Sequence, residues 1–145
     1  MLLSGSHTLN APPTLIWGKL MDTDILARIV PGISRLEKIT ENEYEAISEI
    51  KLGPVSGKFS GGLSLTNIQE PQTFTLNVTQ NSKIGNADAE IKINLTDLGN
   101  NQTELSFEGD AKLSGLLART GQRVLSGVAN SLTKQFFENF EEELV

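Results

Sequence analysis

From residue 43 to 113 the chain alternates apolar and polar side chains with a period of two. Val55, Gly57, Phe59, Gly61, Leu63 and Leu65 fall on one face of an extended segment, with Ser56, Lys58, Ser60, Gly62, Ser64 and Thr66 on the other. Phe74, Leu76 and Val78 alternate with Thr73, Thr75, Asn77 and Thr79, and the stretches 87–96 and 103–113 repeat the pattern. Successive side chains of a strand point to opposite faces, so these segments predict an antiparallel sheet with one face in water. Gly53-Pro54, Glu70-Pro71, Gly85-Asn86 and Gly99-Asn100-Asn101 mark its turns. Residues 2–9, 33–40 and 43–52 are further strand candidates. Ile47 breaks the alternation of the last, which predicts a bulge or register change there.

Helical spacing appears at the two ends. Asn10-Ala11-Pro12-Pro13 starts a helix, since proline is tolerated in a first turn, and Ile16, Trp17, Leu20 and Met21 follow at helical intervals. Asp22 or Thr23 can cap a second short helix that runs to Ile29 and is stopped by Pro31-Gly32. Over 115–142, Leu117, Gly121, Val124, Leu125, Val128, Leu132 and Phe136 form one apolar stripe opposite Arg119, Arg123, Asn130 and Lys134. That reads as one helix of roughly 42 Å at 1.5 Å per residue, with its stripe in the core. Glu138, Glu141, Glu142 and Glu143 oppose the helix dipole, so its last turn is expected to fray. Three phenylalanines, Phe136, Phe137 and Phe140, cannot all face one core, which leaves Phe137 as the candidate for exposure and for a partner or dimer contact.

Residues 1–145 suffice for one domain with one core. An α+β fold follows, in which one curved sheet wraps a long C-terminal helix and two short helices follow the first strand. A net charge of −6 argues against nucleic acid and against docking on anionic lipid through a basic patch. The absence of cysteine excludes disulfides and thiolate chemistry, and a single histidine, His7, leaves any metal site to carboxylates. The carboxylates Glu43, Glu45, Glu49, Asp88, Glu90, Glu108 and Asp110 lie on polar strand faces and read as solvated. The start MLLSGSHTLN lacks the charged region and apolar length of a signal peptide, and no window approaches the apolar length of a membrane span. The expected location is therefore cytoplasmic, where the sequons at Asn77, Asn94 and Asn101 are chance matches.

The stretch GPVSGKFSGG (53–62) invites a phosphate-loop reading. The spacing is one residue short, Phe59 follows Lys58, and no helix begins there. The glycines read instead as missing side chains. Gly57 and Gly61 flank Phe59 on the inward face, and Ala46, Ala87, Ala89, Gly109 and Ala111 are inward and small. Two readings stand: close helix packing with sheet curvature, or a cavity filled by a ligand.

Three segments resemble the CoxG family of carbon monoxide dehydrogenase subunits, within the START-like, SRPBCC helix-grip superfamily. They are APPTLIWGKLMDTDILARIVPG (11–32), KLGPVSGKF (51–59) and LARTGQRVLSGVANSLTKQFFENF (117–140). The resemblance implies a seven-stranded antiparallel sheet gripping the C-terminal helix around an apolar cavity. It implies a non-catalytic accessory of a molybdenum carbon monoxide dehydrogenase or related hydroxylase, concerned with recruitment, electron transfer or maturation. A lipophilic quinone is the implied ligand, with no covalent cofactor, and membrane contact would be peripheral, at the inner face. On this reading the ligand-binding residues are Trp17, Gly57, Phe59, Gly61, Phe107, Leu117, Gly121, Val124, Leu125 and Val128. His7 departs from the pattern, because it takes an inward position of the first strand where an apolar residue is expected.

Bland alternatives stand beside these assignments. His7 reads as a hydrogen-bonded rim residue rather than a base, Trp17 as core, and Arg119 with Arg123 as a solvated face. Two other functions remain open: a cyclase or hydrolase of polycyclic substrates, which needs acids or bases inside the cavity, and an interaction module with a collapsed interior. Both a monomer and a homodimer are compatible with the sequence.

Overall fold

The alternating segments form seven strands in the computed structural model, which describes residues 1–145. They are β1 (Leu2–Leu9), β2 (Ile33–Thr40), β3 (Glu43–Leu52), β4 (Val55–Gln69), β5 (Thr73–Ser82), β6 (Gly85–Gly99) and β7 (Gln102–Leu113). They make one antiparallel sheet in the order β1-β7-β6-β5-β4-β3-β2. Helices α1 (Pro13–Leu20) and α2 (Thr23–Ile29) join the two edge strands, and α3 (Gly115–Arg119) and α4 (Gln122–Glu143) close the chain. The strand pattern predicted the curved sheet over a C-terminal helix, and the resemblance implied this seven-stranded helix-grip, START-like arrangement.

Local chemistry explains the boundaries. Pro12 caps α1 in an extended conformation, with Pro13 in the first turn, where its missing N–H costs nothing. The Asp22 carboxylate accepts from the backbone N–H groups of Asp24 and Ile25, at 3.0 and 3.2 Å, and so caps α2. The buried Thr103 hydroxyl donates to Ala11 O at 2.7 Å and ties the start of the helical segment to β7. The irregularity expected at Ile47 falls on its neighbour: β3 pairs with β4 without a break, and the extra residue is Ser34 of β2, opposite Ile47 and Ser48. The turn expected at Gly85-Asn86 lies at Lys83-Ile84, because Gly85 already pairs with Ser82.

The single long helix predicted over 115–142 is broken. Gly121 adopts φ 102°, a conformation that L residues rarely tolerate, and serves as the N-cap of α4. The break turns α3 aside so that Leu117 packs with Val55, Phe59 and Leu125. It also removes Gly121 and Val124 from the apolar stripe, and both are exposed.

The expected fraying and the expected exposure of Phe137 are overturned together. The helix runs to Glu143 because Glu143 pairs with Arg28 and Glu141 with His7, which offsets the unfavourable dipole. Phe137 and Phe140 are buried and Phe136 is half-buried, since the sheet, α1 and α2 surround this end of α4 on several sides.

The inward glycines have a simpler cause than a cavity. A Cβ on Gly61 would lie 1.9 Å from Thr79 O, and one on Gly109 would lie 2.3 Å from Glu90 O. These glycines let neighbouring backbones approach where the sheet curves. Gly57 differs, because a Cβ there would meet only Ile84, at 3.7 Å. Gly109→Ala is therefore expected to destabilise the fold by about 1–3 kcal/mol, as overpacking does. Gly57→Ala should be neutral, or stabilising by up to about 1 kcal/mol. Urea unfolding of the two variants checks the contrast.

Candidate functional site

Helix α4 is fastened along one side. Its closest neighbours are α2 and β1. Arg28 Nε and Nη2 donate to the two Glu143 carboxylate oxygens at 2.7 and 3.2 Å, and Asn139 Nδ2 donates to Ile29 O at 3.2 Å. His7 stacks on Phe137 with ring centroids 4.8 Å apart. Its Nε2 donates to Glu141; the carboxylate only accepts, so Nε2 carries the proton. This places His7 on the inward face of β1, at the rim, as a link between strand and helix.

Held this way, α4 does not seal against the middle strands. The buried apolar residues form two separate groups. The larger one unites Leu9, Ile16, Trp17, Phe74, Leu105 and Phe140 with their neighbours, and the smaller one holds Val55, Phe59, Leu117 and Leu125. Between the groups the apolar side chains are only half-buried. A compact monomer of 15.7 kDa would expose roughly 7,300 Å². This chain exposes 8273 Å², somewhat more than that.

Three apolar clefts open beneath α4. A central cleft of about 260 Å³ is lined by Leu76, Ile93, Phe107, Leu132 and Phe136, with Leu20 and Val30 at its side. A side pocket of about 110 Å³, reaching Leu36, Tyr44 and Leu63, shares Leu20, Val30, Leu76, Ile93 and Phe136 with it. A far cleft of about 280 Å³, with Phe59, Leu117, Leu125 and Val128 in its wall, shares Leu132. The walls are almost wholly apolar. Thr133 in the central cleft satisfies its hydroxyl on Ala129 O at 2.8 Å, Ser48 and Gln80 are polar members of the far cleft, and Tyr44 is the one ionisable side chain.

The structure brings together only part of the predicted set. Phe59, Leu117, Leu125 and Val128 line the far cleft, and Phe107 lines the central one, its ring lying over Gly5. Trp17 is core, edge-on to Phe74 at 5.4 Å, and does not line the clefts. Gly57 and Gly61 belong to the sheet rather than the walls, and Gly121 and Val124 face solvent. Sequence reasoning left out Leu132, Phe136 and Gln80. Leu132 and Phe136 continue the stripe that begins at Leu125, and Gln80 is the next inward position after Val78, so both signals were present.

The largest concavity, about 630 Å³, lies elsewhere, on the polar face of the sheet among Glu90, Lys92, Glu108 and Asp110. Its size reflects sheet curvature. Leu2 and Leu3 are the only hydrophobic residues of its lining, and its carboxylates do not gather into a metal-holding group. No helix is long and apolar enough to cross a membrane.

Comparison with known proteins agrees with this architecture. The family model for CoxG, described as a carbon monoxide dehydrogenase subunit, matches residues 5–145. A solved structure of a conserved protein from Geobacillus kaustophilus superposes with a TM-score of 0.95 at 34% identity, covering 99% of this chain and 94% of that one. A START superfamily protein from Mycobacterium smegmatis gives 0.76 at 14% identity, covering 99% of both chains. The Zhui aromatase/cyclase from Streptomyces sp. R1128 gives 0.75 at 14% identity, covering 99% and 92%. The last two likenesses bear on the fold alone. A search of curated proteins finds no match.

The α2–α4 clasp has a pH signature. Hydrogen bonding to Arg28 holds the Glu143 carboxyl below the usual carboxylate range. A lowered folded-state pKa contributes stability that is present above the unfolded-state value and is lost as pH falls through the folded-state value. Arg28→Ala is therefore expected to lower the thermal midpoint at neutral pH. The gap from the parent protein should close as the solution is acidified below the usual glutamate range. Scanning calorimetry across pH checks both statements.

Proposed function

Because the chain belongs to the CoxG family of carbon monoxide dehydrogenase subunits, we propose that it is a non-catalytic accessory protein that holds an apolar ligand beneath α4. It would serve a molybdenum carbon monoxide dehydrogenase-like enzyme. The observation that carries this reading is the set of three apolar clefts beneath α4, which Tyr44, Phe136, Leu132 and Phe59 help to line. Unfilled apolar surface of this extent is costly in a packed interior, and an apolar ligand removes that cost.

The walls favour a carrier over a catalyst. An enzyme acting on polycyclic substrates needs an acid, a base or a charged group positioned against the reacting atoms. The walls offer one phenol, two hydroxyls and one amide, and His7 is engaged with Glu141 and Phe137 at the rim. A lipophilic quinone suits such walls in shape and polarity, and the partner is the enzyme that gives the family its name.

Two readouts test the reading. The neutral fluorophore N-phenyl-1-naphthylamine is expected to bind saturably and to be displaced by the quinone menadione. Menadione alone should raise the melting temperature, because a ligand that binds only the native state adds to apparent stability. Leu132→Trp places an indole in the wall of both the central and the far cleft, and should weaken both probes about tenfold with the fold retained. Absence of saturable binding to the parent protein would contradict the reading.

A further inference from the structure

The sheet has two edges, and only one of them is guarded. Edge strand β2 carries Arg35, Glu37 and Lys38, and Ser34 forms a bulge in it. Charges and bulges are the usual devices that keep a strand edge from pairing with other chains. Edge strand β1 has neither. Its register with β7 is unbroken from Leu2 to Leu9, and its sequence LLSGSHTL holds no proline, carboxylate, lysine or arginine. Its one titratable side chain, His7, faces inward and is engaged by Glu141.

The phase of the hydrogen bonding defines what this edge offers. Ala111 N donates to Met1 O at 2.8 Å, so Met1 and Ala111 form a hydrogen-bonded pair. Such pairs alternate along an antiparallel ladder, so Leu3, Gly5 and His7 also bond to β7. The N–H and C=O groups of Leu2, Ser4, Ser6 and Thr8 then point away from β7. No other strand pairs with β1, and these four residues are exposed. An unpaired row of this kind is a template for a further strand.

The charge beside the edge selects the strand. On the outward face Glu108 lies across from Ser4, Ser106 across from Ser6 and Glu104 across from Thr8. Neither glutamate is in an ion pair. Asp110 is engaged by the Met1 amino group at 3.0 Å, and Lys92 faces Glu108 in register on β6 without closing on it. A strand added to β1 would lie two strand spacings from β7, roughly 10 Å. Lysines on that strand reach the two glutamates over the small side chains of Ser4 and Thr8. A second copy of this chain suits the edge poorly, since each copy carries a net charge of −6 and β1 brings no cation to the glutamates. We propose that β1 is the docking edge for an extended segment of a partner protein, with two cationic side chains four residues apart and uncharged residues between them. Its use does not depend on what the clefts hold.

The probe is the peptide acetyl-VKVTVKV-amide, with acetyl-VEVTVEV-amide as the charge-reversed control, titrated into the isotopically labelled full chain and followed by NMR. The lysine peptide is expected to bind about tenfold more tightly at low salt, an advantage that shrinks as salt is added. Its binding should slow amide exchange at Ser4 and Ser6, which exchange fast in the free protein beside the protected Leu3 and Gly5. Ser6→Pro removes an outward N–H without breaking a bond to β7, and should weaken both peptides about tenfold. Glu104→Gln combined with Glu108→Gln should erase the advantage of the lysine peptide. If Ser6→Pro does not fold, the exchange of Ser4 and Ser6 in the parent protein decides. No binding of the lysine peptide, or binding that leaves Ser4 and Ser6 exchanging fast, overturns the proposal. Slow exchange at both residues in the protein alone also overturns it, in favour of a second copy on the edge.

Discussion

Helix α4 is held by its C-terminal half and by one flank. The Arg28–Glu143 pair and the Asn139–Ile29 hydrogen bond tie it to α2, and His7 with Glu141 and Phe137 ties it to β1. The interior follows from this placement. A helix pressed against the centre of the sheet would have closed the core in the ordinary way, with ridges packed into the surface below it. A helix suspended from the edge leaves Leu76, Ile93, Phe107, Leu132 and Phe136 facing a gap. The exposed-pair energetics are modest, as surface ion pairs usually are. The geometry they select is what matters.

Much of the fold was legible because the sheet's code is short-range. Period-two alternation located the strands, and the cap at Asp22 and the prolines at 12 and 13 set the short helices. The misreadings share one origin. Helical periodicity carried the stripe through Gly121 and Val124, but a single glycine at positive φ ended the regularity and rotated both residues outward. Periodicity is a statement about neighbours three and four residues apart, and it cannot see a break that tertiary packing exploits. The glycines of β4 and β7 show the same limit. Gly61 and Gly109 are small on account of the backbone of the adjacent strand, a partner far away in sequence.

The candidate site was legible only where it coincided with those patterns. Phe59, Leu125 and Val128 were found because inward strand positions and the helix stripe both pointed at them. Trp17 stood open between core and pocket because aromatic residues suit both, and the packing against Phe74 decides for the core.

The central claim is that this interior is open in order to hold an apolar molecule. Native mass spectrometry of the protein as purified from cells, paired with organic extraction of the same sample, tests it most directly. The account predicts a species heavier than the 15.7 kDa chain, whose excess mass is matched by an extractable apolar compound. A single species at the mass of the bare chain, with nothing in the extract, would contradict it.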